Sequence, residues 1–258
     1  MRYGTRLNDN PQQYIQPSLS INYRLAKFSL YTDITENRNK SYGYGIARRI
    51  NKNGYSFESN WRQSSLKDSP TLRVGTIYDI SPRHSIGVEA NLAGYFPEKE
   101  RSSVVDTVFY NGALQGTIES DYNYLNKHKN WNLSANYIAR FDTVNSTFKL
   151  LFDYVRTHPH TGGYVEVDHI IPGDAYTYRS NNESQNDLYS VTGDFDIRAG
   201  DNARVKTGFK YIFSQVDSWM KYEDLVGDIW VVRPDQTYDM VYDEHISAAY
   251  GRYTYTFD

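Results

Sequence analysis

Apolar and polar residues alternate with a period of two along much of the chain, a pattern that predicts β-strands. In PSLSINYRLAKFSLYTDI the apolar residues occupy every second position over 19–25 and most alternate positions over 28–34. If Ala26-Lys27 forms a two-residue turn, Leu25 lies opposite Phe28 in an antiparallel hairpin. Directly opposed residues share a face of the sheet, so the apolar residues of both strands are expected on one side.

The same arrangement recurs three times further along the chain. Short turns are expected at 81–85, at 142–147 and at 200–202, each between two alternating runs. At the turn over 142–147, Phe141 is expected opposite Phe148. Each turn has a length that keeps the apolar positions of its two flanking strands on the same face.

Longer and more polar connections separate these hairpins, near 36–41 or 50–54, 97–116, 157–186 and 217–240. All short turns therefore fall at one end of the sheet and all long connections at the other. Bacterial outer-membrane barrels show this asymmetry, and their strands need about nine to eleven residues to cross the membrane. The prediction is an all-β fold, an antiparallel up-and-down meander of about eight to ten strands that forms part of a transmembrane outer-membrane β-barrel.

In this interpretation the apolar positions face lipid and the polar alternates face a water-filled lumen. A soluble sheet would turn its apolar face toward a protein core instead, and periodicity alone does not separate the two cases. The residues expected to face lipid are Leu19, Ile21, Tyr23, Leu25, Phe28, Leu30, Leu72, Val74, Val88, Leu92, Trp131, Leu133, Tyr137, Phe148, Leu150, Phe152, Phe209 and Tyr211.

The amino-acid composition argues against several classes of function and of site. A net charge of -3 gives no basic footprint for nucleic acid, so no nucleic-acid partner is expected. The absence of cysteine excludes disulfides, thiolate metal sites and cysteine nucleophiles. The 25 tyrosines suit positions that are half wet and half apolar, such as sheet faces and membrane interfaces. No apolar run of about 18 residues is present, so no transmembrane helix is expected.

The stretch HPHTGGYVEVDHIIPGD holds the best candidates for a metal site, namely His158, His160, Asp168 and His169. Imidazole and carboxylate suit zinc, copper or nickel, and an extended backbone places His158 and His160 on one side. The alternative is a polar external loop with incidental histidines. We expect no metal or other cofactor.

Charged residues also alternate in the last hairpin. Asp194 and Asp196 are expected on one face, where they would line the lumen. Arg204, Lys206 and Lys210 would lie beside them across the hairpin and provide cross-strand charge pairing. Paired carboxylates can perform acid–base catalysis, but a solvated sheet face is the preferred interpretation of these two.

Aromatic residues in the long connections are candidate ligand anchors, because exposed aromatics on loops often contact ligands. The candidates are Tyr164, Tyr176, Trp219 and Trp230. Two aromatic runs, SYGYG at 41–45 and YTYTF at 253–257, fit either a membrane-interface girdle or a surface that stacks sugars or bases. We prefer the girdle.

The usual catalytic motifs are missing from the sequence: no GxGxxG follows a strand, and no P-loop, GxSxG or HExxH occurs. We therefore expect no enzymatic activity. A small outer-membrane hydrolase with a dispersed site stays as an alternative.

Several of the hairpins resemble a known family. LSINYRLAKFSLY, VGTIYDISPRHSIGVEAN and VTGDFDIRAGDNARVKTGFKY are similar to periplasmic hairpins of the outer-membrane β-barrel family related to TonB-dependent receptors. YDEHISAAYGRYTY is similar to the strand that follows the last of them. The residues that carry this final likeness are Tyr242, Glu244, Ile246, Ala248, Ala249 and Tyr250, with Asp243 and His245 between them.

The resemblance implies a barrel with more strands than this chain supplies, a bulky solute as ligand, and the outer membrane of a Gram-negative bacterium as location. It also implies an N-terminal plug and a short segment that meets an energy-coupling inner-membrane complex. Neither is recognisable in residues 1–258, so the chain is expected to be a single barrel segment, incomplete at both ends. A secreted or surface all-β module that binds glycans without transport is the alternative.

Overall fold

A computed structural model of the chain describes residues 2–6, 12–51, 53–141, 146–169, 175–200 and 202–256. Within these residues the chain forms one antiparallel sheet and a single short 3-10 turn, which confirms the predicted all-β meander. The strands are β1 Arg2–Arg6, β2 Gln12–Gln16, β3 Ser18–Leu25, β4 Phe28–Thr35, β5 Arg38–Ile50, β6 Tyr55–Asp68, β7 Thr71–Ser81, β8 His84–Tyr110, β9 Ala113–Arg140, β10 Thr147–His169, β11 Tyr176–Ala199, β12 Ala203–Val226, β13 Ile229–Val232 and β14 Tyr238–Tyr255, with the 3-10 turn at Pro234–Gln236.

The fourteen elements make up about ten strands of the meander. Four strands of the meander are each interrupted by a few residues and are therefore divided into two elements that run in the same direction. These pairs of elements are β2 and β3, β4 and β5, β6 and β7, and β13 and β14. The partner strands show this continuity: β8 pairs with β7 over its first half and with β6 over its second half. The prediction of about eight to ten strands agrees with this count.

Two of the four predicted short turns lie wholly in the described part of the chain, and the other two lie there in part. Ala26-Lys27 connects β3 and β4 with Leu25 opposite Phe28, and Ala26 has a φ of 48°. The turn after β7 is tighter than the predicted 81–85, because Ser81 already pairs with His84. Ala199 lies opposite Ala203, on either side of the predicted turn at 200–202, of which Asp201 lies outside the described residues.

The predicted pairing of Phe141 with Phe148 is wrong. Phe148 lies opposite Ala139, and the Phe141 N–H donates to the Ser146 carbonyl at 3.0 Å. The face assignment survives, because Ala139 and Phe141 are two residues apart and have the same side-chain direction. Residues 142–145 of this predicted turn lie outside the described part.

The long connections are mostly strand, which corrects the prediction of polar loops. β8 and β9 run through 97–116 and are joined by the two-residue turn Asn111-Gly112. β10 and β11 extend into 157–186, and β12 to β14 fill most of 217–240. β9 has 28 residues, which corresponds to roughly 95 Å at about 3.4 Å per residue. The strands are therefore far longer than a membrane crossing requires.

The sheet is open in the described residues, where no ladder joins β14 to β1, β2 or β3. The few buried apolar side chains are Val108, Ala139, Val165 and Val167. Three of them lie in the far halves of β8 and β10 rather than near the short turns. Among the described residues, no helix has the length and apolar character needed to span a bilayer.

Candidate functional site: an apolar band and the polar hairpin extensions

The ladder register places all of the predicted lipid-facing residues on the same face of the sheet, here called the apolar face. Each short turn preserves the alternation from one strand to the next, so a single row of opposed residues can be followed across the sheet. That row is Tyr23, Leu30, Thr76, Val88, Ala135, Phe152, Val191, Tyr211 and Ser247.

The apolar face is exposed rather than packed against a protein core. Leu25 is 62% exposed, Trp131 is 55% exposed and Leu133 is 41% exposed. Monomeric soluble proteins rarely expose a contiguous apolar patch that crosses a whole sheet. The contact of this face with lipid is a prediction.

The apolar part of this face has a limited depth, called here the apolar band. On β9 it runs from Trp131 to Phe141, and on β11 from Tyr189 to Ile197, with polar residues beyond. A depth of nine to eleven residues matches the length that a tilted strand needs to cross the hydrocarbon core. The remainder of each strand, called here the hairpin extensions (residues 38–68, 98–130, 156–187 and 214–238), lies beyond the band.

Aromatic rings mark both edges of the apolar band. At the edge next to the hairpin extensions, Tyr154 stacks on Tyr189 with 4.8 Å between ring centroids, and Phe213 lies 6.1 Å from Tyr189. At the short-turn edge, Phe148 stacks on Phe195 with 4.5 Å between centroids. The two rows are six residues apart on β10, about 20 Å along the strand.

Only one of the two aromatic runs has a position in the sheet that is compatible with the girdle interpretation. Tyr253 and Tyr255 lie opposite Val205 and Ala203, close to the short turn at 200–202, on the apolar face. Tyr42 and Tyr44 instead lie on β5 in a hairpin extension, away from the band. Phe257 lies outside the described residues.

The opposite face, called here the polar face, carries connected polar side chains at the depth of the band. Tyr31 Oη donates to Glu89 Oε2 at 2.5 Å, and Arg73 Nη2 donates to the same oxygen at 2.7 Å. The predicted charge pairing in the last hairpin is present: Asp196 accepts from Arg204 Nη2 at 2.5 Å and lies 3.5 Å from Lys206 Nζ.

The other predicted carboxylate of that hairpin has a different partner. Asp194 Oδ1 accepts a hydrogen bond from the hydroxyl of Tyr250 at 2.5 Å. Tyr250 lies on β14, opposite Gly208, so the contact passes over the glycine to the strand beyond. This tyrosine is one of the residues that carry the family likeness, and here its contact is structural.

Two of the predicted metal ligands come together, but on a carboxylate that the sequence did not suggest. His158 Nε2 lies 2.5 Å from Glu183 Oε1, and His160 Nδ1 lies 3.6 Å from Glu183 Oε2. The His158 hydrogen bond is the main reason that the pKa of Glu183 is lowered. No group of three or more metal-ligating side chains is found among the described residues, and the side chains of Asp168 and His169 are not among them.

The four candidate ligand anchors lie in strands, not loops, and they are divided between the two faces of the sheet. Tyr164 lies opposite Asn123 on the apolar side of β10, and Trp219 lies opposite Glu183. Trp230 packs under Arg179, whose guanidinium lies 4.4 Å from the ring centroid. Tyr176 lies on the polar face, with its ring centroid 6.1 Å from that of Tyr178.

A cluster of tyrosines on the polar face of the hairpin extensions was not predicted. Tyr178 and Tyr222 stack at 4.8 Å, and the Arg233 guanidinium lies 4.7 Å from the Tyr222 ring centroid. Burial raises the pKa of both phenols, with further contributions from neighbouring phenols. The alternation of Tyr122, Tyr124, Tyr176 and Tyr178 was the available signal. We call Tyr122, Tyr124, Tyr176, Tyr178 and Tyr222 the tyrosine cluster.

Two ion pairs on the apolar side of the extensions join a buried carboxylate to a half-exposed arginine. Asp187, 6% exposed, accepts from Arg156 Nε at 2.6 Å and from the Tyr154 hydroxyl at 2.7 Å. Glu223, 7% exposed, accepts from Arg179 Nε at 2.6 Å and lies 2.8 Å from Lys221 Nζ. The Arg179 hydrogen bond, followed by Lys221, lowers the pKa of Glu223 to about 2.

A groove with a volume of about 1340 Å³ lies over the hairpin extensions of β5, β6, β8 and β9. Its lining includes the exposed side chains of Tyr44, Arg62, Arg101, Asp121 and Glu166. Arg62, Ser103, Asp121 and Glu166 follow one another in a row of opposed residues. The groove exceeds the roughly 300–1,000 Å³ typical of small-molecule pockets, so it suits an extended ligand.

Residues 139–258 match the model of a family described as "Outer membrane protein beta-barrel family". No curated protein and no solved structure matches the chain. The matched segment contains β10 to β14, together with the part of the apolar band that they form. The match supports an outer-membrane location and a role in the wall of a β-barrel.

Proposed function

We propose that the chain is part of the wall and outer surface of an outer-membrane receptor, related to TonB-dependent receptors, that takes up a bulky solute. The proposal places it in a Gram-negative bacterium. The observation that carries it is the apolar band, which is continuous across the sheet and has the depth of a membrane crossing. The family match over 139–258 and the resemblance of the hairpins support the same proposal.

In this proposal the polar face is the path of the solute, because it is opposite the lipid. Its side chains at membrane depth are hydrogen-bonded to one another, as in the group of Tyr31, Arg73 and Glu89. The tyrosine cluster lies on the same face, further from the short turns. Stacked phenols offer flat surfaces with polar edges, which suit sugars and peptides alike. The chain thus contributes a binding surface and a wall, without catalysis.

The membrane part of the proposal is tested by spin labels at Leu133 and Phe152 on the apolar face and at Asn132 on the polar face. The full chain is reconstituted in lipid vesicles, and the accessibility of each label to oxygen and to a water-soluble nickel complex is measured. We expect oxygen to reach the first two labels preferentially and nickel to reach the third. A chain that stays in the aqueous fraction would contradict the proposal and favour a secreted glycan-binding module.

The uptake part is tested in cells that produce the parent protein. Fluorescent dextran oligosaccharides and fluorescent peptides of about ten residues serve as probes. The double variant Tyr178→Ala and Tyr222→Ala is expected to lower uptake of the probe that the wild-type protein imports. Tyr164→Ala, on the apolar side, is the matched control. Equal uptake by all variants, at equal amounts of protein in the membrane, would exclude the tyrosine cluster as the binding surface.

A further inference from the structure

Two lysines follow the apolar band on the same face of β9. From the short-turn end this face carries Tyr137, Leu133 and Trp131, and then Lys129 and Lys127. Trp131 ends the apolar part and is 55% exposed. Tryptophan is enriched where a membrane protein crosses from hydrocarbon to the headgroup region, and lysine extends its amine into that region.

The spacing of the two lysines matches the depth of the headgroups. Lys129 and Lys127 lie two and four residues beyond Trp131, about 7 Å and about 14 Å along the strand. With a strand tilt of about 40°, this corresponds to roughly 5 Å and 10 Å above the level of Trp131. The headgroup region adds about 5–8 Å on each side of the hydrocarbon core, so Lys129 lies within it. Lys127 lies slightly beyond it, and its flexible four-carbon stem lets the amine extend back to the headgroups.

Both lysines are also free of ion pairs with the described residues and so available to a ligand. Lys129 lies opposite His158, and Lys127 lies opposite His160. The neighbouring acids have other partners: Glu183 contacts the two histidines, and Asp187 accepts from Arg156. Within the described residues, neither lysine has a carboxylate oxygen within 4.0 Å, and both are exposed.

We infer that Lys127 and Lys129, beside Trp131, bind the phosphate of a lipid in the surrounding leaflet. The lipid's acyl chain would lie along Trp131 and Leu133 on the apolar band, and its phosphate would meet the two amines. Charge complementarity and the continuity of this site with the band argue for a membrane lipid as the occupant. The inference rests on the proposed membrane location but not on the uptake of a solute.

The experiment uses the full chain in nanodiscs of dimyristoylphosphatidylcholine that contain diphosphoryl lipid A. Native mass spectrometry releases the protein from the nanodisc and counts the lipid molecules that stay bound to it. The ratio of bound lipid A to bound phosphatidylcholine gives the preference for lipid A. Each lysine near a charged headgroup contributes about 1 kcal/mol. The double variant Lys127→Gln and Lys129→Gln is therefore expected to lower that preference about 30-fold.

The control is the double variant Lys149→Gln and Lys210→Gln, which removes the same charge from the polar face. We expect it to leave the preference within about twofold of the wild-type value. Equal losses in both variants, or no loss in either, would overturn the inference. So would displacement of the lipid by millimolar inorganic phosphate, which would indicate a soluble anion as the ligand. A chain that does not enter nanodiscs at all would instead refute the membrane location.

Discussion

The phenol of Tyr31 reaches across a whole strand to hydrogen-bond Glu89. Tyr31 lies on β4 and Glu89 on β8, with Gly75 of β7 directly between them in the ladder. The Tyr31 ring occupies the space above Gly75, since a Cβ at that position would lie 2.1 Å from the ring carbon that bears the hydroxyl. The glycine is therefore required for a contact that joins three strands on the polar face.

Gly75→Ala is expected to displace the Tyr31 ring and break its hydrogen bond to Glu89. The loss should lower the free energy of unfolding by about 1–3 kcal/mol, as for other buried hydrogen-bonded groups. Urea unfolding of the chain folded in detergent micelles measures the change. Gly251→Ala is the control, because a Cβ there has nothing within 4 Å. Equal unfolding midpoints for the two variants would show that the close approach over Gly75 does not matter.

A charge on the apolar band should cost far more than the same charge on the polar face. Leu133→Arg places a guanidinium on the band, about 7 Å inside Trp131. A lipid-facing arginine there is expected to cost about 1–3 kcal/mol, between its cost at the interface and its cost at the midplane. Asn132→Arg introduces the same side chain at the same depth on the polar face and is expected to change stability by less than about 1 kcal/mol. Folding into vesicles at graded urea concentrations measures both values. A larger effect at Asn132 would mean that the two faces have been assigned the wrong way round.

Asp187 accepts hydrogen bonds from Arg156 and Tyr154 and should thereby stabilise the edge of the band next to the hairpin extensions. Asp187→Ala leaves Arg156 and the Tyr154 hydroxyl without their shared acceptor. We expect a loss of about 1–3 kcal/mol, below the value for a fully buried pair because the Arg156 side chain is 41% exposed. Hydrogen exchange of β10 and β11 amides should show the opening. Asp217→Ala, at an exposed carboxylate on β12, is the control and should leave exchange unchanged.

The hairpins near the short turns could be predicted because one face is apolar and the other polar there. At Leu25 and Phe28 the period of two and the two-residue turn together fix both the pairing and the face. The misplaced pairing of Phe148 shows the limit of this reasoning: alternation fixes the face, whereas the partner depends on the conformation of the turn. A shift of two residues keeps the face and changes the partner.

Much of the hairpin extensions was not predicted, because long parts of their strands carry polar residues on both faces. Over 180–187, SNNESQND gives no alternation, although the backbone is a regular strand. Asn111-Gly112 was the one clear local signal, because this dipeptide favours the two-residue hairpin turn that the structure shows. The contact of His158 with Glu183 could not be predicted from the sequence. Its prediction requires the register between two strands, and this segment had been interpreted as a loop.

The ion pair of Glu223 should make the end of the β12–β13 hairpin sensitive to acid over a defined range. Arg179 and Lys221 lower the pKa of Glu223 to about 2, below the roughly 4.3 of an unfolded glutamate. The pair therefore contributes its full stability above about pH 4.5 and loses it as the pH falls toward about 2. Trp230 reports on this change, because its ring packs against Arg179.

A variant with Trp61, Trp131 and Trp219 replaced by phenylalanine isolates the emission of Trp230. We expect a constant spectrum from pH 7 to about pH 4.5 and a shift toward the spectrum of exposed tryptophan between about pH 4.5 and pH 2. In the same background, Glu223→Gln removes the titrating group while keeping the side-chain shape, and its spectrum should not change over that range. If Glu223→Gln shows the same transition, another carboxylate controls the hairpin, and the ion pair with Arg179 is not the acid-sensitive contact.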